Sequence, residues 1–137
     1  MSSKPSASSD AVVPVGINAG INVSILRGRL LRDPEERTLA SGTRLLSLAV
    51  TIPIADGPDE SVPVGWFDPP GRATRFRAGH EVLVIGRTRK RFYRANGATV
   101  SRTEVVAEVV LASGRSRGAQ RRVEEVAANL IDAFARC

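Results

Sequence analysis

The sequence predicts an all-β fold: a five-stranded Greek-key barrel with a short helix between its third and fourth strands, followed by a C-terminal helix. Three observations carry this expectation. Several segments alternate apolar and polar side chains with the period of two that a half-buried strand requires. One short segment opens on Asp68-Pro69-Pro70 and stops at Ala78-Gly79, which are start and stop signals of a helix. Residues 119–135 repeat their apolar side chains at helical spacing.

Taken in order, residues 1–19 are Ser, Ala, Pro and Gly with little pattern and read as a disordered arm. Residues 21–31, INVSILRGRLL, make the first strand. Its apolar phase shifts from Val23 and Ile25 to Leu26 and Leu30 around Gly28, which predicts a bulge or sharp bend. Asp33-Pro34-Glu35 and Ser41-Gly42 are turns, and the second strand, Arg44 to Ile54, puts Leu46, Leu48, Val50 and Ile52 on one face. An acidic loop from Ala55 to Glu60 leads to a third, short strand, Ser61 to Phe67. The helix then covers about residues 69–78. From Glu81 the chain is extended again until Asn96-Gly97, a strong hairpin signal, and the return strand TVSRTEVVAEVVLA alternates well. Five strands with a helix between the third and fourth fit the partly open barrel known as the OB-fold. The expected organisation is an arm over 1–19, an OB-fold over 20–112, and a linker with an amphipathic helix over 113–137.

Composition narrows the function classes. At 137 residues the chain suits one domain with a real core. No apolar run is long enough to span a bilayer, and MSSKPSASSD lacks the apolar centre of a secretion signal. The single Cys137 gives no disulfide framework and no cysteine metal cluster. The expected location is the cytoplasm. The net charge of +6 is carried mainly by arginine, which binds phosphate through two parallel hydrogen bonds and stacks on rings. Residues 21–111 hold 14 cations against 10 anions, so the basic character belongs to the folded part and favours a polyanionic partner.

The segment from Gly86 to Gly97, GRTRKRFYRANG, concentrates this chemistry. Along a strand, Arg87, Arg89, Arg91 and Tyr93 point one way while Thr88, Lys90 and Phe92 point the other. Three guanidiniums and a phenol ring on one face suit single-stranded nucleic acid, whose phosphates attract cations and whose unstacked bases lie on rings. An edge strand charged against aggregation has the same pattern. Catalysis is not expected. There is no Walker loop, no metal-ligand cluster, and only His80 to serve a Ser/His/Asp set. No cofactor is expected.

Four stretches resemble the bacterial single-stranded DNA-binding protein family: GRLLRDPEERTLASGTRLLSLAV (Gly28 to Val50), VGWF (Val64 to Phe67), RAGHEVLVIGRTRKRFY (Arg77 to Tyr93) and TEVVAEVV (Thr103 to Val110). They match the family's Gly-Arg/Asn-Leu strand with Asp-Pro-Glu after it, its Val-Val-x-aromatic third strand, its Lys/Arg-Gly-x-x-Val lead into strand four, and its Thr-Glu-Val-Val fifth strand. The resemblance spans about residues 21–112. It implies an OB-fold that binds single strands without reading sequence in replication, recombination or repair, and that assembles as a homotetramer or dimer. It places Tyr93 at a base-stacking position, with Arg89 and Arg91 on the backbone, and Trp66 at a second stacking position. Trp66 and Phe67 must face opposite ways on a regular strand, so Phe67 is the alternative ring. Phe92 is expected beneath the hairpin and Phe76 in the core. Arg77, Arg37 and Arg44 are further phosphate candidates.

The chain also departs from the family. Ile54 stands where a stacking tryptophan is usual, and Asp59-Glu60-Ser61 replaces another. With aromatics at 4 % of the chain, weaker and more salt-dependent binding is expected. An accessory or adaptor OB-fold, or an RNA-binding one, is the alternative reading. Family members recruit partners through an acidic tip, whereas GAQRRVEEVAANLIDAFARC runs to a basic-apolar end, so acidic-tail recruitment is not expected. Val123, Val126, Ala127, Leu130, Ile131 and Phe134 form one helical stripe, expected to dock on the barrel or on a partner subunit.

Overall fold

A computed structural model of the chain describes residues 20–112 and 116–136, and of Arg136 only the backbone. The arm expected over 1–19, residues 113–115 and Cys137 lie outside the described residues. The elements are β1 (Ser24–Leu30), β2 (Glu35–Thr38), β3 (Arg44–Ile54), β4 (Gly57–Phe67), β5 (Glu81–Ala95), β6 (Ala98–Ala112) and α1 (Arg117–Arg136). Five strands close in the order β1-β5-β6-β4-β3, and β3 returns to β1 through Arg29 opposite Thr51 and Leu30 opposite Val50. All neighbours are antiparallel except β4 and β6. This closed barrel is the predicted OB-fold. The short β2, with every residue exposed, adds to the outer edge of β3.

Closure requires strand backbones to cross at close range, and glycine permits it. β1 keeps one phase, with Leu26 and Leu30 inward and Ile25, Arg27 and Arg29 outward, so Gly28 marks no phase shift. A Cβ on Gly28 would lie 2.2 Å from the Thr51 carbonyl oxygen of β3. Gly86 plays the same part at the bulge between Ile85 and Gly86, where a Cβ would come within 2.0 Å of the Val106 carbonyl oxygen. The core follows the predicted alternation: Leu46, Leu48 and Val50 of β3 face Trp66, Val64 and Val62 of β4 across the register. Val82, Val84 and Val110, none of them exposed, complete it.

Four expectations are corrected. The acidic segment 55–60 is not a loop: Ala55-Asp56 makes a tight turn, and β4 begins at Gly57, opposite Ile54. The helix expected over 69–78 is only one 3-10 turn, Gly71–Arg75. Asp68 does not cap it, because its carboxylate accepts the backbone N–H of Arg44 at 3.0 Å and thereby fixes the end of the β3–β4 hairpin. The predicted stop at Ala78-Gly79 is not where the helical turn ends: it closes at Arg75 with Phe76 extended, and Gly79, whose φ of 85° suits glycine, belongs to a separate turn that leads into β5. The Asn96-Gly97 turn is formed as expected, with φ of 52° and 79° and Ala95 opposite Ala98.

Helix α1 starts two residues ahead of the expected 119 because Ser116 caps it, its hydroxyl accepting the Ala119 N–H at 3.1 Å. The helix docks on its own barrel. Ala119, Val123, Val126 and Leu130 pack on Val23, Leu83, Ile85, Val109 and Leu111, on the outer wall of β1, β5 and β6. That wall is apolar on both faces, which is why strand alternation is blurred there. The predicted stripe splits in two: Ile131 and Phe134 are 72 % and 70 % exposed and lie outside this second core. We expect a solution mass above that of one 14.6 kDa chain, with these side chains shared between copies. Light scattering that returned the single-chain mass at micromolar concentration would refute the assembly.

Candidate nucleic-acid interface

β5 and β6 are 15 residues each and outrun the barrel. Among the described residues, no third strand pairs with β5 beyond Gly86 or with β6 before Val105. The distal hairpin is therefore an arm with two solvent-facing sides. Its root is tied by Asn22, whose amide group exchanges hydrogen bonds of 2.8 and 3.0 Å with the Thr88 backbone. Phe92 accordingly is not packed beneath the hairpin but 66 % exposed, because no described residue covers that side of the arm.

The other side of the arm carries the predicted row. Opposite Arg87, Arg89, Arg91 and Tyr93 the register places Val106, Glu104, Arg102 and Val100. The Glu104 carboxylate is 5 % exposed and binds Arg89 at 3.0 Å and Arg91 at 3.7 Å. It lies against Gly65 of β4, with a Cβ position there 3.8 Å from the carboxylate oxygen and 3.5 Å from Leu45. The Arg89 guanidinium sits over the Phe67 ring at 5.2 Å, and that of Arg91 lies near the Tyr93 ring at 6.0 Å. Arg87 pairs with Glu108 at 3.2 Å.

Between this arm and β2 runs an open groove of about 980 Å³ across the outer face of β3 and β4. Its floor is made of small side chains, Ser47, Ala49, Ser61 and Pro63. One wall holds Arg32 and Arg37 beside Glu35 and Glu36, and the other holds Arg91 and Arg102. Arg91 and Arg102 stand directly opposite on one face, a like-charge pair that destabilises a bare hairpin. Glu104 relieves Arg91, while Arg102 has no ion-pair partner among the described residues.

The structure sorts the sequence-predicted residues. Arg37 and Arg91 line the groove, Tyr93 and Arg89 stand beside Arg91 on the arm, and Arg87 is paired with Glu108. Trp66 joins neither: it is 4 % exposed, inside the barrel, edge-on to Phe76 at 6.1 Å and under the Arg72 guanidinium at 5.6 Å. The phase of Val62, Val64 and Trp66 turns this ring inward, and the outward ring of the pair is Phe67. Arg77 donates to the Thr74 and Phe76 carbonyls at 2.7 and 2.8 Å and closes the 3-10 turn. Its backbone N–H donates to His80 Nδ1 at 3.1 Å, so His80 is the turn residue expected. Arg44 is spent on Glu36 at 2.6 Å. Sequence reasoning missed Arg32, Arg102 and Glu104. The tight Asn96-Gly97 turn fixes the register, and counting back from it would have set Arg102 against Arg91 and Glu104 against Arg89.

Arg44 also fixes one wall. Its hydrogen bond to the Glu36 carboxylate holds that carboxyl below the usual glutamate value. A folded value lower than the unfolded one supports the folded state above the ordinary glutamate range and withdraws as pH falls through the lowered value. We expect amide exchange across β2 to speed up relative to the barrel core as pH drops below about 4. Unchanged relative protection of β2 at pH 3 would contradict this anchoring.

Scanned against models of known protein families, the chain matches none, and a search of curated proteins returns no match. Among the described residues, no three His, Cys, Asp or Glu side chains gather as a metal ion would need. No described helix is long and apolar enough to cross a membrane.

Proposed function

We propose that this protein binds single-stranded DNA through the outer face of its barrel, without strong sequence preference, as a member or relative of the single-stranded DNA-binding family it resembles. The observation that carries the reading is the groove walled by Arg32, Arg37, Arg91 and Arg102, with the like-charged Arg91 and Arg102 paired across the arm. Nucleic-acid ligands of this fold lie on that same face, between a loop after the first strand and one joining the last two. A small-residue floor leaves room for a backbone to pass, and phosphates would relieve the arginine pair. The role is non-catalytic: protecting or organising exposed strands in replication, recombination or repair, in the cytoplasm at the nucleoid, as a homo-oligomer.

The scarcity of outward rings supports a second reading, an accessory or RNA-binding barrel. A titration separates the readings. A labelled single strand should bind with an affinity that falls with salt at a slope near 0.7 per phosphate neutralised. Duplex DNA should bind more weakly. The label is essential, because Trp66 is shielded and its emission should not be quenched by the strand. Duplex bound as tightly as single strand, or no binding of DNA with tight binding of RNA, would overturn the proposal.

A further inference from the structure

We propose that the base-stacking surfaces of this interface are guanidinium planes rather than rings, with Glu104 as the residue that positions them. The inference rests on the nucleic-acid reading above and names how the bases are held. Only a few aromatic side chains face outward, and two of them, Phe67 and Tyr93, are each accompanied by a guanidinium, at 5.2 and 6.0 Å. A guanidinium beside a ring brings a plane of its own to the surface, and an unstacked base lies on such a plane as it lies on an aromatic ring.

A free arginine side chain holds no fixed plane, because four rotatable bonds let it sweep a wide volume. Here one carboxylate restrains two arginines at once, Arg89 through a hydrogen bond of 3.1 Å and Arg91 through a longer ion pair. Glu104 reaches Arg89 at 3.0 Å and Arg91 at 3.7 Å while itself only 5 % exposed. Its own place is set by β6 below and by Gly65, which leaves the slot that a larger side chain on β4 would fill. Alternate residues of β5 set Arg89 and Arg91 on the same face about 6.6–7 Å apart, roughly the step of an extended single strand. The carboxylate has a second consequence. It neutralises part of the arginine charge, so these two side chains contribute more plane and less charge than their number suggests.

Charge and plane separate in lysine substitutions. Arg89→Lys and Arg91→Lys keep the cation and remove the plane. The probes are an oligothymidylate and an abasic strand of the same length, each end-labelled and titrated by anisotropy at fixed salt. Wild type should prefer the strand with bases. In each lysine variant that preference should fall by about fivefold to tenfold, with the salt slope on oligothymidylate unchanged. Glu104→Gln should move the preference the same way, and its thermal unfolding shows whether the barrel has survived. Lysine variants that keep the full preference overturn the proposal, since the arginines then act as point charges. A wild type that binds both strands equally overturns it too while leaving strand binding intact. A wild type that binds neither strand overturns the nucleic-acid reading itself and this inference with it.

Discussion

Replacing Gly86 by alanine is expected to cost about 4 kcal/mol or more, a loss reserved for a few mechanisms of which a backbone clash is one. A methyl group there would stand 2.0 Å from the Val106 carbonyl oxygen, and its neighbours on that side are backbone atoms, not the movable end of a side chain. To admit it, β5 and β6 must part at the bulge where the barrel ends and the arm begins. Gly28→Ala meets the Thr51 carbonyl oxygen at 2.2 Å and should behave alike by opening the seam between β1 and β3. Against a total stability of about 5–15 kcal/mol for a domain of this kind, either change leaves little in reserve. Urea unfolding followed by Trp66 emission measures it. A midpoint within error of wild type for both variants would show that the strands do not cross as closely as described.

The second large effect concerns the cover of the outer wall. Val126 is 1 % exposed, between α1 and the side chains of Leu83 and Ile85. Val126→Asp removes its apolar burial, worth about 1.5–3 kcal/mol, and leaves an unpaired polar group in its place at about 1–3 kcal/mol. The helix should detach rather than bury the carboxylate. Proteolysis should then release residues 117–136 from a barrel that is still folded but less stable. Exposed Phe134→Asp is the control and should leave the helix docked. Equal protease resistance of Val126→Asp and wild type would mean that α1 is not held by this face.

The barrel was legible because its strands carry their burial in their own alternation. Leu46, Leu48 and Val50 needed nothing from outside β3 to identify the inward face. The elements that escaped are those whose order comes from elsewhere. Glu35–Thr38 is exposed on both faces and is a strand only because β3 offers it an edge. Gly57 to Glu60 has poor strand formers and is extended because the tight turn at Ala55-Asp56 returns it along β3. At the site, the phase of β4 placed Trp66 with Val62 and Val64, on the core side, and family resemblance pulled the expectation outward. Period-two alternation was the better guide. For Phe92 the same alternation predicted a buried side, yet it specifies only two faces, not what covers them. Among the described residues no layer covers the Phe92 side of the arm, so that side is wet.

Trp66 gains a use from its place inside the barrel. Its ring senses whether the chain is folded and lies away from the surface a strand would occupy. Any ligand that binds only the folded protein raises its stability, by about 2.7 kcal/mol at a hundredfold excess over the dissociation constant. The shift of a Trp66-detected unfolding curve therefore ranks single strands, duplexes, RNAs and proteins on one thermodynamic scale. No ligand needs a label for this, and none needs to touch the reporter.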